Sequence, residues 1–297
     1  MARPQTPSRA RKFLDRGGGM KTILVPVEQH SLIHSVFETA FSVGSIFGSY
    51  IEGMAVSVDL PDVPVMDIAV GVPSVWDPET RQEMAEASRQ NFESFFASRG
   101  LERHASGVVG PCYGWQGGGA KSDTALGSEA RVFDLTVVGR PNSKTNHPRL
   151  ATVEAALFES GRPVLVSPPV PSKTLGDTVV IAWNGSTETA RAVALGMPLL
   201  ARARRVIVLC IEGWSVPGPT GEQLARSLRA NGVPAELRTV ESQNGRPGDT
   251  ILSTAANLGC DLLVKGAYTQ SRLRQMIFGG ATSTILTSTT LPVLMAH

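Results

Sequence analysis

Three stretches of this chain occur twice, in the same order. Thr22-Ile-Leu-Val-Pro-Val is matched by Thr178-Val-Val-Ile-Ala-Trp, Asp134-Leu-Thr-Val-Val-Gly139 by Asp261-Leu-Leu-Val-Lys-Gly266, and Pro163-Val-Leu-Val by Pro292-Val-Leu-Met. Ordered self-similarity of this kind marks a duplicated unit, so each copy must be a structure that half the chain can complete. The 297 residues suit two domains of about 150 residues, each large enough to bury a core.

Apolar, β-branched runs of strand length alternate with helix-length stretches in both halves. Strands are expected at residues 22–27, 50–58, 103–109, 135–139 and 163–167, and again at 178–183, 205–211, 235–241, 262–266 and 292–296. That alternation specifies parallel sheets with crossover helices. The expected fold is α/β, with two tandem doubly wound five-stranded parallel-sheet domains. Between the copies, Ser167-Pro-Pro-Val-Pro-Ser-Lys-Thr-Leu-Gly-Asp177 suits neither helix nor central strand. The domains are read as 20–170 and 178–297, with 171–177 as linker. Residues 1–19 are basic, contain proline and end in three glycines, which reads as a disordered tail before the strand-like run that Met20 opens. Met20 is itself a candidate start. The first half alone carries a proline-rich insertion at 59–77, apolar enough to cover its domain or meet a partner.

Composition excludes more than it assigns. A net charge of +2 gives no electrostatic case for nucleic acid, and no apolar run approaches the length of a membrane span. Cys112, Cys210 and Cys260 lie far apart without metal-ligand spacing, which fits a reducing compartment, so a cytoplasmic location is expected.

The stretch with chemical content follows the strand at 262–266. Gly266 leaves that strand without a Cβ to keep a ligand from the backbone, and Gly279-Gly280 then opens a helix with hydroxyls at Thr282 and Ser283. The first N–H groups of a helix are unpaired and its dipole favours negative charge, so the two ends of the segment can hold a phosphate chain. The bland alternative is a tight strand-to-helix turn. Lys265, at the C-terminal end of its strand, is read as a phosphate partner or as a solvated or carboxylate-paired lysine, and Arg272 and Arg274 have the same phosphate reading.

With these residues in view, the chain resembles a tandem universal stress protein, with an adenine-nucleotide α-hydrolase-like fold. ATP-binding members carry Gly-x-x-Gly, nine residues, then Gly followed by Ser or Thr. Here Gly266-Ala-Tyr-Thr269, nine residues, and Gly279-Gly280 keep the spacing. Thr269 replaces the second glycine, Gly280 replaces the hydroxyl residue, and Asn184 stands where the family has an aspartate near ribose and adenine. The resemblance implies ATP or another adenine nucleotide, with Mg, at Asn184, Gly266, Thr269, Gly279, Gly280, Thr282 and Ser283. It implies a regulatory stress-response protein with a protein partner still to be identified, and a homo-oligomer. In the first half only Gly139 of the motif survives, and Pro141 removes an amide donor, so that half is read as a degenerate copy without phosphate.

Other features carry weaker readings. Gly114-Trp-Gln-Gly-Gly-Gly119-Ala-Lys121-Ser122 resembles a phosphate-binding Walker loop, but Ala120 separates the lysine from its glycine, leaving a flexible connection capped near Ser122 or Asp123. His30 and His34 have metal-ligand spacing on one helix face, with Glu28 and Glu38 nearby, against a plain polar helix edge. Trp183 is read as core ahead of base stacking. No nucleophile-base set stands out, so binding is expected rather than turnover. The alternatives are a stress scaffold without nucleotide and a slow nucleotide hydrolase.

Overall fold

The computed structural model describes residues 19–57, 78–105, 110–142, 144–145, 147–267 and 280–297. The tail through residue 18, the insertion at 59–77, Thr269, Arg272, Arg274 and Gly279 lie outside the described residues. The chain divides between Pro171 and Ser172 into two compact units.

The first unit runs β1 (Thr22–Val27), α1 (Ile33–Phe47), β2 (Tyr50–Ala55), α2 (Pro78–Ser98), β3 (Glu102–Arg103), β4 (Cys112–Trp115), α3 (Asp123–Glu129), β5 (Leu135–Gly139), α4 (Leu150–Glu159) and β6 (Val164–Ser167). All its pairings are parallel: β3 with β4, β4 with β2, β2 with β1, β1 with β5, and β5 with β6. The second unit runs β7 (Thr178–Ala182), α5 (Thr187–Leu200), β8 (Arg205–Ile211), α6 (Gly221–Ala230), β9 (Ala235–Val240), α7 (Pro247–Asn257), β10 (Leu262–Gly266), α8 (Ala281–Ser288) and β11 (Val293–Ala296). Its parallel order is β9-β8-β7-β10-β11.

Leaving aside the two-residue β3, the units share one strand order, in which the chain first steps outward from β1 or β7 and then returns to its other side. Right-handed crossovers therefore put the first two helices and the last two on opposite faces of each sheet. Covered on both sides, the central strands are apolar along most of their length; Val179, Val180, Ile181, Leu262, Leu263 and Val264 have no exposed surface. The repeated aspartates also acquire a reason. Asp134 accepts the amides of Lys21 and Thr22 at 2.8 and 3.0 Å, and Asp261 accepts those of Gly176 and Thr178 at 3.1 and 2.9 Å. Each fastens the start of the central strand to its neighbour.

The expected strand at 103–109 is corrected. Among the described residues only Glu102 and Arg103 of that region pair, and β4 takes the place beside β2, giving the first unit six strands instead of five. The Gly-rich, aromatic sequence of β4 hid it. A Cβ at Gly53 would come within 2.6 Å of the Trp115 ring, and one at Gly114 within 2.2 Å of the Tyr50 hydroxyl. Each glycine makes room for an aromatic side chain on the neighbouring strand, an arrangement that per-residue strand propensity does not express. Trp115 and Tyr113 join Phe37, Phe92, Phe95 and Phe96 in one aromatic cluster beneath α1 and α2.

The Walker-like segment is accounted for in the same way. Gly114 and Trp115 lie in β4, the amides of Gln116 and Lys121 bond to Gly53 and Ala55, and Ser122 caps α3 by accepting from Ala125 N at 3.1 Å. Those amides are spent on the sheet.

Candidate functional site

The C-terminal ends of β7 and β10 adjoin where strand order reverses, the usual place for a ligand crevice in an open parallel sheet. β10 ends at Lys265 and Gly266, and α8 begins with Gly280 as its N-cap.

Gly280 has φ 84° and ψ −164°. This is a backbone region open essentially to glycine alone, so the residue that departs from a Gly-Ser or Gly-Thr pair does so to turn the chain into α8. No side chain caps α8 among the described residues. Gly280→Ser is expected to lower stability by about 1–3 kcal/mol, although nothing lies within 4 Å of its Cβ position, a loss that urea unfolding will measure.

Lys265 differs from both readings of it as a surface group. It is 3 % exposed, and its Nζ donates to Gly266 O and to Thr282 Oγ1, each at 2.7 Å. The Trp214 ring centre lies 5.9 Å from the ammonium, within cation–π range. Burial pulls the amine down from 10.5 to about 8, partly opposed by Glu188 in the first turn of α5. Because Thr282 Oγ1 accepts from the ammonium, its hydroxyl hydrogen is left to donate elsewhere. Gly280 and Ser283 face a cavity of about 470 Å³ shared with Arg246, Gly248 and Asp249 at the entry of α7 and with Thr287 in the last turn of α8.

Gly266 has a second purpose. A Cβ there would sit 2.3 Å from Thr189 N and 2.6 Å from Glu188 C, so the residue lets the N-terminus of α5 close onto the sheet. Asn184 belongs to this packing. It is 6 % exposed, and its Oδ1 accepts from Ser186 N at 3.3 Å and from Thr189 Oγ1 at 2.9 Å. Trp183 is core at 5 % exposure, its Nε1 donating to Pro219 O at 2.9 Å.

Of the residues singled out in the sequence, Lys265, Gly266, Gly280 and Thr282 therefore meet at one strand-to-helix passage. Ser283 lies one turn position further on, and Asn184 is turned into the start of α5. Sequence reasoning missed Glu188 and Trp214. Glu188 was in reach as the acidic residue of a helix's first turn behind Ser186, which caps α5 by accepting from Thr189 N. Trp214, in a connection between β8 and α6, gave no periodic signal.

In the first unit, His30 precedes α1 while His34 lies within it, so the two do not share a helix face. His30 Nδ1 accepts from Leu32 N at 3.1 Å, and burial, with His147 nearby, pulls its ring down to about 4. His34 packs on Phe37 and Phe95. Glu28 is bound to Arg149 and Glu38 to Arg99. No group of three His, Cys, Asp or Glu side chains among the described residues could hold a metal ion. No described helix is long and apolar enough to cross a membrane.

Comparison with known proteins bears on the second unit most directly. Residues 176–297 match the Universal stress protein family. The fold of the chain is similar to that of a universal stress protein from Archaeoglobus fulgidus DSM 4304, with a TM-score of 0.67 at 14 % identity, covering 94 % of this chain and 96 % of that one. It is also similar to a functionally unknown protein from Pseudomonas aeruginosa PAO1, with a TM-score of 0.53 at 13 % identity over 93 % and 92 % of the two chains. None of the curated proteins matches in sequence. Because the match runs over residues 176–297, from before β7 through β11, those residues form a domain of the universal stress protein family.

Proposed function

We propose that the second unit binds the phosphates of an adenine nucleotide, ATP in the first instance, at the entry of α8, and that the chain is a tandem universal stress protein acting in regulation. The observation that carries this reading is the buried Lys265 ammonium bonded to Thr282 in the first turn of an uncapped helix. A fixed positive charge, a hydroxyl with its hydrogen to spare and a helix N-terminus favour an anion together. Thr269, Arg272 and Gly279 enter as further contacts from the segment between Gly266 and Gly280. Mg, in this reading, arrives on the phosphates. Nucleotide binding then presents a changed surface to a protein partner, in a cytoplasmic and oligomeric protein.

A scaffold without nucleotide is the second reading. It draws on Asn184, whose carbonyl oxygen is committed to Ser186 and Thr189. Titration of the purified chain with ATP, with identification of small molecules released on denaturation, separates the two. Saturable binding is expected, weakened about tenfold in Thr282→Val, which keeps the shape of the side chain and removes its donor. An absence of both saturation and co-purified nucleotide favours the scaffold.

A further inference from the structure

The two units treat the same position in opposite ways. In the second, Asn184 follows β7, Gly280 caps α8, and the first turn of α8 holds no acidic residue of its own, Asp249 of α7 only lining the cavity beside it. In the first, the corresponding residues are Glu28, after β1, and Arg149, the N-cap of α4. Glu28 is 5 % exposed and reaches across to that helix entry. Its Oε2 accepts the backbone N–H of Arg149 at 3.0 Å, and its Oε1 accepts Arg149 Nε at 2.8 Å and the Thr152 hydroxyl at 2.5 Å. The Arg149 guanidinium, also buried, extends through Nη1 and Nη2 to Asp123 at 2.6 and 2.9 Å. Backbone amide, hydroxyl and cation thus converge on one carboxylate, the donor set that a bound phosphate uses at a helix N-terminus.

We propose that Glu28 is a resident anion, filling in the first unit the position that the second unit leaves for the phosphate of an external ligand, and so closing the first unit to phosphate. The part concerning an external ligand rests on the nucleotide reading above; the seating of Glu28 does not. The sequence alone attributed the loss of phosphate binding to missing glycines and to Pro141. The structure adds an occupant, and with it a specificity device, because a second anion would have to displace a carboxylate held by three donors. The net charge of Glu28, Asp123 and Arg149 is negative, which opposes that displacement further. A cavity of about 330 Å³, lined by Glu28 with Val27, His30, Ile33 and Ser88, gives a small ion a way in once the side chain is shortened.

The experiment compares the wild-type chain with Glu28→Ala by thermal melting, with and without inorganic phosphate or formate at constant ionic strength, alongside calorimetric titration of the wild type with ATP. Glu28→Ala is expected to melt lower than wild type and to be raised by either anion by a clearly larger shift than wild type shows. Where Glu28→Ala does not fold, Glu28→Asn is used. It retains an oxygen for the Arg149 amide, mirrors Asn184 and is expected to show the same excess shift. Equal shifts in wild type and variant overturn the proposal, as does a wild-type stoichiometry of two ATP per chain. A wild type that binds no ATP, with the excess anion shift still present in the variant, refutes the nucleotide reading and leaves Glu28 assigned as the resident anion.

Discussion

Gly266→Val is expected to unfold the second unit at denaturant concentrations that leave the first intact. The backbone of α5 stands where the new side chain would begin: Thr189 N at 2.3 Å and Glu188 C at 2.6 Å from the first added carbon. Neither atom can move aside cheaply. Thr189 N is held by Ser186 Oγ at 3.2 Å, Thr189 Oγ1 by Asn184 at 2.9 Å, and Asn184 by the end of β7. Overpacking a core that can adjust costs about 1–3 kcal/mol, so a clash against braced backbone belongs at or above the upper end, about 3 kcal/mol or more. Urea unfolding followed by fluorescence and amide exchange, read separately for the two units, measures it. The same substitution tests why glycine is there. If Gly266 only admitted a ligand to the backbone, Gly266→Ala would weaken ATP binding and leave unfolding unchanged. Packing against α5 requires unfolding to shift even with no ligand present.

That distinction marks what could be learned before the structure. The parallel sheets were legible because burial on both faces imposes continuous apolar runs, and Asp134 and Asp261 stood out as a matched pair because they perform the same tethering in both units. The candidate site was legible only as a place in the fold, since Gly266, Gly280 and Thr282 punctuate a strand-to-helix passage at a switch point. What each residue does there was not. The backbone angles of Gly280, the pressure of Thr189 on Gly266 and the burial of Lys265 are tertiary facts, set by segments distant in sequence. β4 was illegible for the same reason, since its strand character comes from Gly53 and Gly114 accommodating rings on neighbouring strands. The ion cluster in the first unit joins the end of β1, the start of α3 and the start of α4, three places with no shared motif. Helix α4 begins at Leu150, so Thr152 lies within its first turn, where its hydroxyl meets Glu28.

Lys265→Met is expected to change how stability and ATP affinity depend on pH. In the folded chain burial holds the amine at about 8, against 10.5 when it is free in water. Between those values the unfolded chain binds more protons than the folded one, so the lysine makes stability rise with pH through this window. Below pH 8 the amine is charged in both states, and the cost of burying that charge is fully present. Above 10.5 it has been relieved, by about 3 kcal/mol at most. Cys260 acts in the opposite sense: burial pushes its thiol from 9 up to about 12, so it makes stability fall as pH rises between those values. The wild-type curve alone is therefore not diagnostic, and the difference between wild type and Lys265→Met is, because Cys260 is common to both. That difference should favour the methionine chain below pH 8 and shrink toward zero or reverse by pH 10.5. Affinity should move the other way. An anion at the entry of α8 favours the charged amine, so wild-type ATP binding should weaken as pH climbs above 8, with protons taken up on binding. Loss of the charge should weaken binding at pH 7 by about tenfold to a hundredfold and flatten its pH profile. Calorimetry in two buffers of different ionisation enthalpy detects the proton uptake. A methionine chain that is more stable at neutral pH yet binds ATP less tightly would mean that Lys265 is retained at a cost in stability because it meets the phosphate. Unchanged affinity and no proton uptake would leave it a buried charge held by Gly266, Thr282, the Trp214 ring and the field of Glu188.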